Sequence, residues 1–473
     1  MTNSVVNTVG VFQSSRSWSD TISVRLVEKT KRQWSLEFIL TRPVSRLDLG
    51  ADINGRRGSD WRVQTRNISM HSENGRDVLA SKNGEGFQRV VFNINPSEIG
   101  LPRTYEAFMP FGRKSMLIYT GHFQPWTEYG TRFRTIISVE PRPGRRVTVF
   151  DSVERRLVGW ESPLNHPAFL LVGPGPTHIG KRRGNKAEPL ASDGPRKTFV
   201  ASIDPDLPSW AKKEINEVAG SALMEFARAF GWSLKVTPNY FVSYSRENRL
   251  PNGERAPVQG MVSFNGDALP GQFRVALEGP AWGERTPFTL NVLRTGLLHE
   301  AAHLWQSVAR PLSYDVPDWI HEGGANVLAS ELMVRLGYWT LAEAAEDLSL
   351  AKKACVNALR GQALNRASAR RDVDAAYNCG QVLNNLAAEA HPNGIIGFWN
   401  DFIARTEEQG GYDAKLFYRV AGEFGGQQLS AEMERFARTN YARPERGFAI
   451  LEAAAVVTPY SGRSIDNNLQ KAN

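Results

Sequence analysis

Cysteine is nearly absent: the 473-residue chain holds two, Cys355 and Cys379. Two sulfurs cannot build a disulfide scaffold, and at this spacing they do not make a thiolate metal site. A single bridge between them, or two free buried thiols, both remain open, because they fall on consecutive predicted helices. Long apolar runs are missing too. No stretch approaches the roughly 18 residues that a spanning helix needs, so no membrane span is expected. The opening residues, MTNSVVNTVGVFQSS, lack the basic and apolar segments of a secretory signal; a cytoplasmic protein and a mature exported form both fit such a start. Charge of one sign is not concentrated anywhere. The 57 Lys and Arg against 49 Asp and Glu give a net +8, a field that favours anions. The densest basic cluster, GKRRGNK at 180–186, sits among Gly and Pro without interleaved aromatics, which reads as a solvated linker and excludes a nucleic-acid partner.

What is present is globular. Hydrophobic residues at 41% and charged residues at 22% match folded averages, and the length predicts about three domains. From Val5 to about Leu171, short runs such as TISVRLV, WSLEFIL and FRTIISV alternate with Gly, Asn and Pro turns. This predicts an N-terminal antiparallel β-sandwich over 1–172. Residues 173–198, rich in Pro, Gly and charge, read as a linker or exposed loop. A mixed region over 199–340 opens with a helix from about Ser209 to Phe230, closed by Gly231. Residues 341–473 read as an α-helical C-terminal domain with a frayed polar tail. The fold class is multidomain α+β.

The chemistry gathers in TGLLHEAAHLWQS, 295–307. His299 and His303 lie four apart, so a helix turns both imidazoles to one face, and Glu300 can reach a water held there without being a ligand. A hydrolytic zinc site usually takes three protein ligands and keeps one position open. Glu322 in VPDWIHEGGANVLASEL supplies the third, with eighteen residues between it and His303. The competing reading is two satisfied core histidines and a surface glutamate. Asn326, one turn after Glu322, can offer its amide oxygen to His299 or be an ordinary polar helix residue. His321 points elsewhere and is left out of the site.

These residues resemble the gluzincin metallopeptidases, most nearly the alanyl and leucyl aminopeptidase branch, over about Glu278 to Leu383. The resemblance implies one Zn2+ per chain held by His299, His303 and Glu322, with Glu300 as general base and acid. It also implies a thermolysin-like catalytic domain at 199–340 and a peptide or protein substrate. Tyr377 in AYNCGQVL matches the family's catalytic tyrosine, with Cys379 where a lysine is usual; a core aromatic is the alternative. The family's Gly-x-Met-Glu-Asn strand, which anchors the substrate amine, has no counterpart. Glu278 in VALEGPAWGE is the nearest candidate for that role, and Glu284 a weaker one. The short helical region after Tyr377 keeps a zinc endopeptidase with an open cleft in view. A peptidase-like binding or scaffold module is the third possibility, and the oligomeric state is left open.

Overall fold

A computed structural model describes residues 21–456 except 31, 53–55, 97–104, 113, 127–132, 165, 175–177, 182–196, 247, 250–254, 257–261, 310–316 and 371. The basic cluster over 182–186 and the polar tail after 456 therefore lie outside the described residues. No described helix is long and apolar enough to cross a membrane.

The N-terminal region is built from strands whose side chains alternate. In Thr21–Thr30, Ile22, Val24 and Leu26 point inward; in Gln33–Val44, Trp34, Leu36, Phe38 and Leu40 do the same. These belong to a six-stranded sheet, which shares one apolar core with a five-stranded and a three-stranded sheet. The expected antiparallel sandwich needs correction on one pair. Thr21–Val27 runs parallel to Arg134–Glu140. These strands are far apart in sequence, and a long crossover permits the parallel pairing that a hairpin forbids. The outer face of the five-stranded sheet carries Met109, Phe111, Leu117, Phe169 and Leu171, which pack on Phe241 and Leu269 of the next sheet.

That next sheet has five strands, β1 (His178–Lys181), β2 (Lys197–Ile203), β3 (Asn239–Ser245), β4 (Ser263–Leu269) and β5 (Gln272–Glu278), in the spatial order β1-β2-β3-β5-β4. β2, β3 and β5 are parallel, and β1 and β4 are antiparallel edges. β1 thus draws part of the stretch read as a linker into this sheet. Every residue of β5 is buried, as expected of a strand covered on both faces.

Helix α1 (Ser209–Phe230) ends at Gly231, whose φ of 77° closes it in the left-handed conformation that the apolar spacing and the glycine predict. Then come α2 (Pro287–Gln306), α3 (Trp319–Arg335) and α4 (Leu341–Ala358), followed by a π turn (Ala375–Cys379) that leads into α5 (Gly380–Ala390). α6 (Gly394–Gln409), α7 (Ala414–Arg438) and α8 (Pro444–Val456) complete the chain. One apolar cluster runs from Phe199 on β2 to Leu451 on α8, so the sheet and the C-terminal helices share a core.

Candidate metal centre

Helix α2 is fixed at its start. The Thr289 N–H donates to Thr286 Oγ1 at 3.1 Å, the Thr286 N–H donates to Thr289 Oγ1 at 3.0 Å, and Pro287 takes the first turn, where an N–H has no helical partner. Beyond the cap, Leu293, Leu297, Leu298, Ala301, Ala302, Leu304 and Trp305 are all buried. Contacts on every side hold the helix in register, and His299 and His303 turn one face toward α3.

Glu322 comes from the first turn of α3. His299 Nε2 and His303 Nε2 lie 3.0 Å apart, and Glu322 Oε2 lies 3.3 Å from the first and 3.5 Å from the second. Zinc bonds of about 2.0–2.1 Å place tetrahedral ligands about 3.3–3.4 Å apart, close to all three separations. Three lone pairs this close repel unless positive charge stands between them. The donor set, the spacing and the burial of His299 and Glu300 fit a zinc ion. Burial works to raise the Glu322 carboxyl, and in the metal-free protein the imidazoles of His303 and His299, when protonated, outweigh it and hold the group well below the usual range as a carboxylate.

The proton on His299 is placed by its neighbours. His299 Nδ1 lies 2.8 Å from Asn326 Oδ1, which can only accept, so Nδ1 carries the hydrogen and Nε2 turns a lone pair to the cluster. Asn326 Nδ2 donates to Gln381 Oε1 at 3.0 Å, and Gln381 Nε2 donates to Asp347 Oδ2 at 2.6 Å. The Asp347 carboxylate orients both amides, since each nitrogen must face its acceptor. Asp347 is on α4 and Gln381 on α5, so three elements converge behind one imidazole.

Tyr377 arrives through a close backbone contact. A Cβ on Gly323 would stand 1.9 Å from the Gly380 carbonyl carbon, and one on Gly380 would stand 2.2 Å from the Trp319 carbonyl oxygen. Glycine at both positions lets α3 and α5 touch main chain to main chain. The π turn just before Gly380 then lays Tyr377 on the His299 ring, centroids 5.4 Å apart. Local π geometry of this kind recurs at functional sites. Burial first, and then the Glu322 charge, push the phenol far above its ordinary range, so it stays protonated and able to donate. Cys379 closes the turn with a disulfide to Cys355 of α4, Cα atoms 4.8 Å apart; of the two readings of the cysteines, the bridge is the one observed.

Glu300 is buried beside the cluster, and its carboxylate lies on the backbone of Gly266 in β4, where a Cβ would fall 1.9 Å from Glu300 Oε1. Burial pushes this carboxyl up to about 8, against the pull of His299 and with help from Glu322 and Asp267.

Glu278 is not a member of the three-residue cluster. It ends β5, 4% exposed, with Oε2 lacking a hydrogen-bond partner. Burial pushes it up to about 7, with Arg274 pulling the other way. Glu284 is exposed, and its carbonyl accepts the Thr289 hydroxyl at the start of α2. His321 is packed between Trp399 and Tyr412, with its ring centre 6.5 Å from that of His303, and burial drops its pKa to about 3.

Sequence reasoning missed Gly266, Asp347, Gln381 and Tyr105. A glycine inside a strand marks a close approach, so Gly266 carried a signal. Gln381 follows Tyr377 by four residues and could have been suspected. Asp347 and Tyr105 have no local pattern. Tyr105 comes from the N-terminal β region, and its hydroxyl donates to Ala268 O on β4 at 2.8 Å.

No family model matches the sequence, and no curated protein matches it. Solved structures do share the fold. An aminopeptidase N family protein from Idiomarina loihiensis superposes with a TM-score of 0.63 at 9% identity, over 89% of this chain and 76% of that one. An M1 zinc metallopeptidase from Deinococcus radiodurans gives 0.50 at 13% identity, over 89% and 94%. A mutant of the latter bound to a Tyr-Ser-Ala substrate gives 0.50 at 14%, over 90% and 95%. At these identities the likeness is one of fold: mixed α+β, with a multi-sheet N-terminal β region and a helical C-terminal region.

Proposed function

We propose that the chain is a zinc-dependent peptidase, and specifically an aminopeptidase. The observation that carries this is the convergence of His299 Nε2, His303 Nε2 and Glu322 Oε2 at 3.0–3.5 Å, with Glu300 and Tyr377 on either side. The fold shared with M1 zinc peptidases, one of them bound to a tripeptide substrate, supports the same reading. β2–β5 with α1–α3 are read as the thermolysin-like catalytic unit, about 199–340, to whose sheet β1 of the 173–198 stretch is added. The β region 1–172 and the helices 341–473 then form its two walls, joined through 173–198.

Zinc supplies a Lewis acid, which lowers the pKa of a bound water to about 7 and polarises a carbonyl. The remaining work is done by side chains. Glu300 takes the proton of the attacking water as the oxygen–carbon bond forms, and returns it to the leaving amine nitrogen as the carbon–nitrogen bond breaks. Tyr377 keeps its proton and donates to the carbonyl oxygen as charge develops there. Asn326, through His299 Nδ1, keeps the ligand lone pair aimed at the centre.

The test is metal analysis combined with Glu300→Gln. Wild type and variant are expected to hold one zinc per chain, with hydrolysis of an unblocked peptide reduced about 10²–10⁴-fold in the variant. Equal hydrolysis by zinc-loaded wild type and variant would remove Glu300 from the chemistry. Bound zinc without turnover of any peptide in a mixed library would favour a binding module.

A further inference from the structure

α4 is an 18-residue helix with only two buried residues, Ala351 and Cys355. Leu348, Val356 and Ala358 pack on the core part-buried, while Leu341 and Leu350 stand exposed. Apolar burial therefore holds this helix weakly. Asp347, Ala351 and Cys355 follow at four-residue spacing, so they lie in one stripe along α4. Both ends of that stripe are bonded to the segment that carries Tyr377: the Asp347 carboxylate accepts from Gln381 Nε2, and Cys355 is bridged to Cys379.

The turn that presents Tyr377 is held from two sides. On one, Gly380 touches the main chain of α3 at Trp319 and Gly323. On the other, Cys379, two residues after Tyr377, is tied to Cys355. A π turn holds one residue more in each hydrogen-bonded ring than an α turn does. If it relaxes to the commoner ring, the residues ahead of Gly380 rotate about the helix axis and the Tyr377 ring leaves His299. The bridge opposes that rotation at the residue next to the fixed glycine. Both cysteines are 0% exposed. A solvent thiol does not reach them in the closed fold, so the bridge is a lasting clamp and not a surface switch.

We propose that the Cys355–Cys379 bridge is a positioning element of the site, acting through two arms. By clamping α4 to the π turn it keeps Tyr377 stacked on His299 with its hydroxyl beside the proposed zinc. It also keeps Asp347 in place to orient Gln381, Asn326 and, through them, the His299 imidazole. The first arm rests on the peptidase reading; the second needs only the metal. A bridge between residues 24 apart restricts the unfolded chain whatever else it does. Lost stability therefore does not discriminate between a clamp on the site and a simple staple, and the measurement has to read the site itself.

Two double-mutant cycles on folded protein test it. With zinc bound, Cys355→Ala/Cys379→Ala is expected to leave KM within about twofold and to lower kcat on an unblocked peptide about tenfold, since misplacing a reacting group by about 1 Å costs up to about 10²-fold. In the Tyr377→Phe background the same pair is expected to cost less than about twofold, because the hydroxyl it positions is already gone. Zinc affinity, read by competition with a chromophoric chelator, is expected to fall about three- to tenfold, and to fall no further when the pair is added to Asn326→Leu. Wild type folded with a trialkylphosphine present, so that the bridge never forms, keeps every side chain and decides the matter if the alanine pair does not fold. A kcat that is unchanged, or that falls as much in Tyr377→Phe as outside it, overturns the proposal. So does a zinc affinity that is unchanged, or that falls equally with Asn326→Leu. If the parent hydrolyses no peptide, the peptidase reading falls and the zinc cycle alone decides: a loss that is absent from Asn326→Leu upholds the clamp, and any other result overturns it.

Discussion

The phenol ring of Tyr377 lies parallel to the imidazole of His299, with 9° between the planes and 5.4 Å between the centroids. A stack of this kind fixes where the hydroxyl sits relative to a ligand of the proposed zinc. It also separates two roles of one side chain, the ring that packs and the O–H that donates. Tyr377→Phe keeps the ring, the π turn and the Cys355–Cys379 bridge. The expected result is unchanged zinc content and KM within a few-fold, with kcat lowered about 10²–10³-fold, the cost of removing one donor to a developing oxyanion. Steady-state kinetics with parallel metal analysis reads both numbers. A loss of kcat below about fivefold would leave Tyr377 as a packing residue.

Behind His299 the chain Asn326–Gln381–Asp347 ties the ligand to α4 and α5. Removing the acceptor in Asn326→Leu leaves the His299 Nδ1 hydrogen without a partner and frees the ring to turn. Zinc affinity is expected to fall about 10–100-fold, the usual cost of losing such a partner. Asn326→Asp keeps an acceptor oxygen and is expected to hold zinc nearly as wild type does. Gln381→Leu leaves Asn326 in place with nothing to hold its nitrogen, so a smaller loss in the same direction is expected. Competition against a chromophoric chelator measures all three. Wild-type affinity in Gln381→Leu would show that the orienting chain stops at Asn326.

The grouping of His299, His303 and Glu322, with Glu300 beside it, was legible because helix geometry turns spacing into position. Four residues are one turn, and α2 is a continuous helix held by its Thr286 cap. Asn326 was legible for the same reason, being one turn from Glu322. Glu278 is the nearest candidate for an amine anchor on a strand upstream of His299, and distance along the chain does not say which strand forms the sheet edge. The edge is β4, and Glu278 ends the interior strand β5. Asp347 and Tyr105 escaped because nothing local marks them. Each reaches the centre only through tertiary packing, Asp347 through Gln381 and Tyr105 through the seating of the β region on β4. The parallel pairing of Thr21–Val27 with Arg134–Glu140 was equally hidden, since alternation within a strand specifies its faces and not its neighbours.

Glu278 makes stability depend on pH in a direction opposite to that of a salt-bridged carboxylate. Its folded pKa is about 7, raised by burial from 4.5. Below pH 4.5 the group is neutral in both states and burial carries no penalty. As pH rises toward 7, the unfolded chain has released a proton that the folded protein still holds, so unfolding becomes progressively more favourable. Above 7 the buried group is charged and the penalty is constant. At about 1.4 kcal/mol per pH unit between those limits, the loss is on the order of 3 kcal/mol. Glu278→Gln removes the titration and keeps the shape. The stability of the variant relative to wild type, from urea unfolding of the zinc-loaded proteins, is expected to improve by roughly that amount between pH 4.5 and 8. Because both proteins carry the same metal site, its own pH dependence cancels in the comparison. A difference that stays flat across this range would mean that the Glu278 carboxylate is charged in the folded state throughout, held by Arg274 more strongly than burial opposes it.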